Sequence, residues 1–219
     1  CAAVDREQAK RGYGDAKKIG AKSPAIAKRM VIKKTIAYHR TRGGLMRPLS
    51  KDTKNKDSGA PSYFVVDEYH AHETSEIYDL GFNSFGKRRQ PLLDVITTAG
   101  DDAAHKPCYK EEQYCKRILQ DPELQAREQR YFIMIREIDD GDNPHDKRCW
   151  VKANPILRGA DLYAETLRSQ IESEYVTAYE SGDPEKIRKF LTRRMCRWQA
   201  ASVNRYLDEV CMEKARKAM

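Results

Sequence analysis

No stretch of the sequence approaches the roughly 18 consecutive apolar residues that a membrane-spanning helix requires, which excludes an integral helical membrane protein. An apolar leader is missing too: Cys1-Ala2-Ala3-Val4 passes directly into Asp5-Arg6-Glu7, so no secretory signal is expected. The six cysteines (Cys1, Cys108, Cys115, Cys149, Cys196, Cys211) form no Cys-x-x-Cys pair. A chain of 219 residues does not need disulfide staples, and reduced thiols are expected. The alternative is a zinc site from His105, Cys108 and Cys115, although that spacing fits no common zinc module. Internal repeats and low-complexity tracts are absent, which excludes solenoids and linker-like chains. The chain begins with Cys rather than Met, and it is expected to be a piece of something longer.

Positive charge is plentiful but unevenly placed. Residues 1–56 hold 16 Lys and Arg against 4 Asp and Glu, a net of +12, whereas the whole chain carries only +8. A block of this size points to a polyanionic partner, because phosphate contacts supply most sequence-independent affinity for nucleic acid. The plainer alternative is a solvated face that keeps the protein soluble. Arg40, Arg42 and Arg47 flank Gly43-Gly44, which favours a basic loop, and these three are the candidate DNA-binding residues. With only Tyr13 and Tyr38 as aromatics in the block, a single-strand stacking platform is disfavoured.

Hydrophobic residues at 40% and charged residues at 34% allow a real core under a heavily solvated surface. A capping-box pattern at Asp5-Arg6-Glu7-Gln8 predicts a helix to about Ala21, and Ser23-Pro24 starts a short second one. Residues 30–32 and 35–37 are short strand candidates, and residues 50–61 a polar loop. Tyr63-Phe64-Val65-Val66 and Leu92-Leu93-Asp94-Val95-Ile96 read as buried strands, with a helix over 74–86 between them. A helix over 107–119 and a third strand over 131–135 follow. Strands alternating with helices at this spacing predict an α/β fold with a mostly parallel sheet. After Asn154-Pro155 the pattern becomes wholly helical (161–181, 183–196, 198–218). The boundary is therefore expected near residue 156, giving domains 1–155 and 156–219.

Two strand ends carry the chemistry. Tyr63-Phe64-Val65-Val66-Asp67-Glu68 delivers two carboxylates to the C-terminal edge of a strand, where ligands bind in open α/β sheets. P-loop ATPases need such a pair there, an Asp to orient Mg²⁺ through its water shell and a Glu to polarise the attacking water. A strand that simply ends in solvated acids is the alternative. Ile96-Thr97-Thr98-Ala99-Gly100 ends the next strand with two hydroxyls, which suit contact with a γ-phosphate or its water and equally suit an ordinary turn.

In their order, Val65-Val66-Asp67-Glu68-Tyr69-His70-Ala71-His72, Arg89-Gln90-Pro91-Leu92 and Ile96-Thr97-Thr98-Ala99-Gly100 resemble the large terminase subunit of tailed bacteriophages. Supporting matches are Ala2-Ala3 with Arg6-Glu7-Gln8-Ala9, Tyr131-Phe132 with Asp139-Asp140-Gly141-Asp142, Trp150-Val151-Lys152-Ala153-Asn154-Pro155, and Leu191-Thr192 to Trp198. The resemblance implies a partial P-loop (RecA-like) sheet with flanking helices, followed by a helical segment leading toward a nuclease domain. It further implies an ATP-driven motor that translocates viral DNA into the procapsid, using ATP and Mg²⁺. The implied partners are double-stranded DNA, the small terminase subunit, the portal protein and other large-subunit copies in a ring. The implied place is the host cytoplasm, transiently at the procapsid portal, without a membrane.

By this resemblance Asp67 takes the Walker B magnesium role through water, Glu68 the catalytic-base role, and Thr97 and Thr98 the coupling motif. Arg88 and Arg89 are candidates for sensing phosphate. His70 and His72 are read as structural, and Asp139, Asp140, Asp142 and Asp146 as a solvated loop. The chain departs from the family in two respects: it carries none of the family's nuclease carboxylates, and it contains no G-x-x-x-x-G-K-[ST] loop, Gly14 to Ser23 being a poor imitation with no apolar strand before it. Two other readings stay open. Asp67-Glu68-Tyr69-His70 also spells a DExH box, which would make this a helicase piece, though a companion S-A-T motif is missing. A non-enzymatic basic nucleic-acid-binding protein would explain the charge but not the paired strand ends.

Overall fold

The computed structural model describes residues 2–3, 6–50 and 60–199. The chain divides into two compact units, Cys1–Thr98 with Lys106–Ile133, and Ala99–His105 with Met134–Met219. Residue 156, where the sequence changes character, lies inside the second unit.

The first unit is built on a parallel sheet. Its strands are β1 (Ala2–Ala3), β5 (Leu49–Ser50), β6 (Tyr63–Asp67) and β7 (Leu92–Ile96), in the order β5-β1-β6-β7. Every pairing in this sheet is parallel. Helix α1 (Arg6–Lys22) packs on β1 and β5. It buries Ala9 and Tyr13 and leaves Arg11, Lys18 and Lys22 exposed, as an amphipathic surface helix must. The Tyr13 hydroxyl finds a partner by donating to the Lys33 carbonyl at 2.9 Å.

Strand β6 alternates, with Phe64 and Val66 buried and Val65 half-buried, rather than being buried on both faces. Strand β7 departs further from the expected buried strand: Leu92, Val95 and Ile96 are exposed. The cause is position, since β7 ends the sheet among the described residues. Helix α3 (Glu76–Asn83) crosses between β6 and β7 and covers them closely. At Gly81 an added Cβ would stand 2.8 Å from Phe64 and 3.1 Å from Leu93, so only glycine permits that approach.

A separate antiparallel sheet holds β2 (Met30–Ile32), β3 (Ala37–His39) and β4 (Leu45–Met46). It follows the short helix α2 (Pro24–Arg29). Strand β3 starts two residues later than the sequence predicts, because the Lys33 N–H bonds the Ile36 carbonyl at 2.9 Å and draws residues 33–36 into the turn. Helices α4 (Pro107–Gln120) and α5 (Pro122–Arg127) complete the unit. The strand predicted over 131–135 is corrected by the structure. The backbone from Tyr131 alternates inward and outward, with Phe132 at 88% exposure and Met134 at 66%, yet no described strand pairs with it. Alternating hydrophobicity dictates an extended conformation; a strand additionally needs a ladder.

The second unit is helical, with α6 (Trp150–Ala153), α7 (Leu162–Glu180) and α8 (Pro184–Arg193). Its core gathers Ile138, Trp150, Ile171, Ala178, Phe190 and Met195. Trp150 is 1% exposed, packs against Tyr175 and Phe190, and donates its indole N–H to the Pro144 carbonyl at 2.8 Å. Burying an aromatic side chain of this size contributes about 3 kcal/mol. Asn154 donates to the Arg194 carbonyl at 2.7 Å, which ties the Trp150-to-Pro155 segment to the end of α8. The acidic loop is charge-compensated rather than merely solvated: Lys152 contacts Asp139 at 2.5 Å and Asp142 at 2.8 Å, while Asp146 pairs with Arg148 at 2.7 Å. The helix predicted over 198–218 falls, beyond Gln199, outside the described residues.

Glu174 on α7 accepts two hydrogen bonds from the Arg194 guanidinium, one of them from Nε at 2.6 Å. The guanidinium holds this carboxyl below its ordinary 4.5. A carboxyl depressed in the folded state contributes stability that is present above its unfolded pKa and lost as pH falls through the folded value. Glu174→Gln is therefore expected to lower the urea midpoint at pH 7 and to converge on the unsubstituted protein near pH 3, measured by tryptophan fluorescence. An equal deficit at both pH values would mean that the glutamate acts by packing and not by charge.

Candidate functional site

The site is assembled by the register of two strands. Asp67 at the end of β6 pairs with Ile96 at the end of β7 in the parallel ladder. Glu68 follows the first strand and Thr97-Thr98 the second, so two carboxylates and two hydroxyls meet at one C-terminal sheet edge.

Glu68 occupies a left-handed conformation, φ 52° and ψ 51°. Such a backbone costs a non-glycine residue about 1–2 kcal/mol and is retained where the surroundings over-determine it. Here a 3₁₀ turn over Tyr69–Ala71 follows at once, with the Ala71 N–H bonding the Glu68 carbonyl at 2.9 Å. Tyr69 anchors the turn from beneath. It is 2% exposed and stacks on Tyr78 of α3 at 5.4 Å between ring centroids. Tyr78 in turn donates to Glu111 of α4 at 3.1 Å, and Tyr131 donates to the same oxygen at 3.2 Å. Burial and that shared carboxylate push the Tyr78 hydroxyl well above its usual range. His72 is buried, with its Nε2 3.4 Å from the Asp67 carbonyl, which agrees with a structural histidine.

His70 has a different setting. Its backbone N–H donates to Thr97 Oγ1 at 2.9 Å. Its Nδ1 lies 3.2 Å from Glu68 Oε2, 3.1 Å from Thr97 Oγ1 and 3.4 Å from Thr98 Oγ1. Sequence reasoning missed this histidine as part of the site; its place three residues after Asp67, at the same strand end, was the available signal. Thr97 also donates to the Thr98 carbonyl at 2.9 Å and receives the Cys108 thiol at 3.8 Å. Burial pushes that thiol up to about 12 and Cys115 up to about 11, so both are inert protonated thiols at neutral pH. The described cysteines are all free, and among the described residues no three His, Cys, Asp or Glu side chains gather as a metal cage would need. The zinc alternative has no support.

Arg88 and Arg89 do not join the site. They precede β7 and so stand at the opposite end of the strands, roughly 16 Å away for five residues at about 3.3 Å each. Arg88 Nε donates instead to the Ala60 carbonyl at 2.6 Å, just ahead of β6. The fold thus brings neither arginine to the strand ends that carry Asp67-Glu68 and Thr97-Thr98.

Arg40 and Arg42 lie in the turn joining β3 to β4, and Arg47 follows β4; all three are exposed. The turn is held by the His39 N–H on the Gly44 carbonyl at 2.7 Å and by Gly43 at φ 68°. His39 Nδ1 accepts from the backbone N–H groups of Thr41 and Arg42 at 3.2 and 3.1 Å. Arg40 and Arg42 therefore sit at a defined hairpin end, and Arg47 at the far end of β4.

Three comparisons set the chain as a whole beside known proteins. The family described as terminase large subunit, ATPase domain, matches residues 1–117. Protein YmfN of Escherichia coli (strain K12) is 34% identical over 139 residues, covering 64% of this chain and 29% of YmfN. The crystal structure of the HK97 bacteriophage large terminase is similar in fold, with a TM-score of 0.69 at 16% identity over 90% of this chain and 39% of that one. The chain thus spans well under half the length of either.

The left-handed turn yields a stability test. Glu68→Ala and Glu68→Gly both delete the carboxylate and its contact with His70, but only glycine relieves the backbone. The glycine variant is expected to be the more stable by about 1 kcal/mol, read from paired urea titrations. Equal midpoints would show that residue 68 relaxes out of the left-handed region once its side chain is gone.

Proposed function

The chain belongs to the family of terminase large-subunit ATPase domains, and from that premise we propose that its parallel sheet forms one wall of the nucleotide site of a viral DNA-packaging motor. One observation carries the reading: Asp67-Glu68 and Thr97-Thr98 end neighbouring parallel strands in register, the edge at which such sheets bind ligands.

In this reading Asp67 holds Mg²⁺ through its water shell. The donor set suits that ion: a single hard carboxylate at a strand end fits a cation that arrives with nucleotide phosphates and keeps several waters, whereas a cage of protein ligands is absent among the described residues. The ion, when bound, neutralises charge on the phosphate oxygens. Glu68 orients and deprotonates the attacking water, and Thr97-Thr98 carry the state of the site into β7 and onward. Phosphate binding itself needs a G-x-x-x-x-G-K-[ST] loop, which this sequence does not contain. The wider reading follows the family: ATP-driven translocation of double-stranded DNA in the host cytoplasm, with ring neighbours, a small subunit and a portal as partners. No helix among the described residues is long and apolar enough to cross a membrane.

The division of labour is tested in a full-length protein that joins this segment to its phosphate-binding loop. Glu68→Gln is expected to lower ATP hydrolysis about 100-fold or more while nucleotide binding holds, because the amide keeps the shape but cannot take a proton. Asp67→Ala is expected to weaken Mg²⁺-dependent binding instead. Equal loss of binding in both variants would refute the separate roles.

The basic hairpin end and the exposed cations of α1 are proposed to meet DNA phosphates without reading bases, since a motor passes every sequence in turn. The 219-residue chain is expected to bind duplex DNA weakly, with affinity falling steeply as salt rises. The triple change Arg40→Ala, Arg42→Ala, Arg47→Ala should reduce the log–log slope by about 3, at roughly 0.9 per phosphate contact. A slope unchanged by the triple variant would assign these arginines to solubility or to another surface.

A further inference from the structure

Resting on the nucleotide-site reading, we infer that His70 is the positioning residue of that site: its Nδ1–H, shared between the Glu68 carboxylate and the Thr97 hydroxyl, holds the base carboxylate in register with the tip of β7. Which ring nitrogen carries the proton follows from the neighbours. Glu68 Oε2, 3.2 Å from Nδ1, can only accept when the carboxyl is ionised. Thr97 Oγ1, 3.1 Å away, gives its own proton to the Thr98 carbonyl at 2.9 Å; one of its two lone pairs takes the His70 backbone N–H, and the other faces Nδ1 and the Cys108 thiol, which at 3.8 Å is the weaker claimant. The two atoms closest to Nδ1 both ask for a proton, and the ring satisfies them only as the Nδ1–H form or as imidazolium.

The same census separates the two threonines. Thr97 gives its proton to the Thr98 carbonyl and receives the His70 backbone N–H at 2.9 Å; it is a strut between the turn after β6 and the end of β7. Thr98 is exposed, and its hydroxyl lies 3.4 Å from the imidazole, at the limit of hydrogen bonding. Thr98 is thus the hydroxyl available to a phosphate or water, and His70 stands between it and Glu68. A shift of the β7 tip moves Thr97, Thr97 moves the imidazole, and the imidazole turns the carboxylate. Glu68 in its left-handed backbone (φ 52°) has no strand ladder of its own to fix it, which is why a side-chain tether is needed there.

Nitrogen-15 NMR on the 219-residue chain reads the tautomer directly. The neutral ring of His70 is expected to show a protonated Nδ1 and an unprotonated Nε2. Removing both acceptors with Thr97→Val and Glu68→Ala should return it to the Nε2–H form. An Nε2–H tautomer in the unsubstituted chain would overturn the proposal. In the full-length protein, His70→Asn places an amide N–H where Nδ1–H stood, and is expected to keep kcat within about threefold. His70→Gln and His70→Ala should lose about thirtyfold in kcat with KM for ATP held within about twofold. Equal losses in all three, or a loss confined to KM, would show that His70 only maintains structure. Glu68→Gln in the same protein separates the two readings: if it still hydrolyses ATP, the nucleotide-site assignment fails, whatever the tautomer of His70.

Discussion

Everything at the candidate site depends on the parallel pairing of β6 with β7. Parallel strands joined by a crossover end at the same edge of a sheet, so one register fixes four functional groups at once. Asp67 opposite Ile96 leaves Glu68 and Thr97 as the next residues out, where the ladder stops. A slip of one residue would turn Asp67 to the other face and exchange the buried Phe64 and Val66 for the half-exposed positions. The core and the chemistry are therefore secured by the same hydrogen bonds. Close packing of α3 at Gly81 adds a second lock, because the helix rests directly on Phe64 and Leu93.

Support for the turn after β6 comes from polar groups placed inside an aromatic stack. Tyr69, Tyr78 and Phe82 form a column of rings. Glu111, reached by two tyrosine hydroxyls, ties that column to α4. Inside a protein a satisfied hydrogen bond of this kind is stiff, and the loss of one member leaves the others unpaired at a cost of about 1–3 kcal/mol. The second unit uses the same device in another form, with Trp150, Tyr175 and Phe190 packed together and the indole N–H spent on a carbonyl. In both units the rings supply area while their polar atoms supply direction.

Much of this was legible in the sequence, and the gaps have physical causes. The two strands that matter, and the helix between them, follow from short apolar runs bounded by turn residues. Asp67, Glu68, Thr97 and Thr98 could be placed at strand ends because a ladder terminates where the apolar run does. Three features could not be read so directly. The extended segment from Tyr131 has the alternation of a strand, but pairing is a property of two segments, and one segment's pattern is silent on it. Arg88 and Arg89 sit near Thr97 in the sequence yet a whole strand length away in space, since a strand separates its two ends maximally. From the sequence, His70 and His72 both read as structural. The 3₁₀ turn after Glu68 instead sends His72 back under Asp67 and His70 across to Thr97.

The left-handed backbone at Glu68 also bears on how this segment tolerates sequence drift. A position whose backbone prefers glycine, and whose proposed chemistry requires glutamate, is one where folding and that function would select in opposite directions. Variants recovered by screening for expression or heat resistance alone will accumulate glycine or asparagine at residue 68. Natural sequences kept under demand for the chemistry will retain the acid despite its strain. On the proposed role, the identity of that one residue reports which of the two pressures a given gene copy has been under.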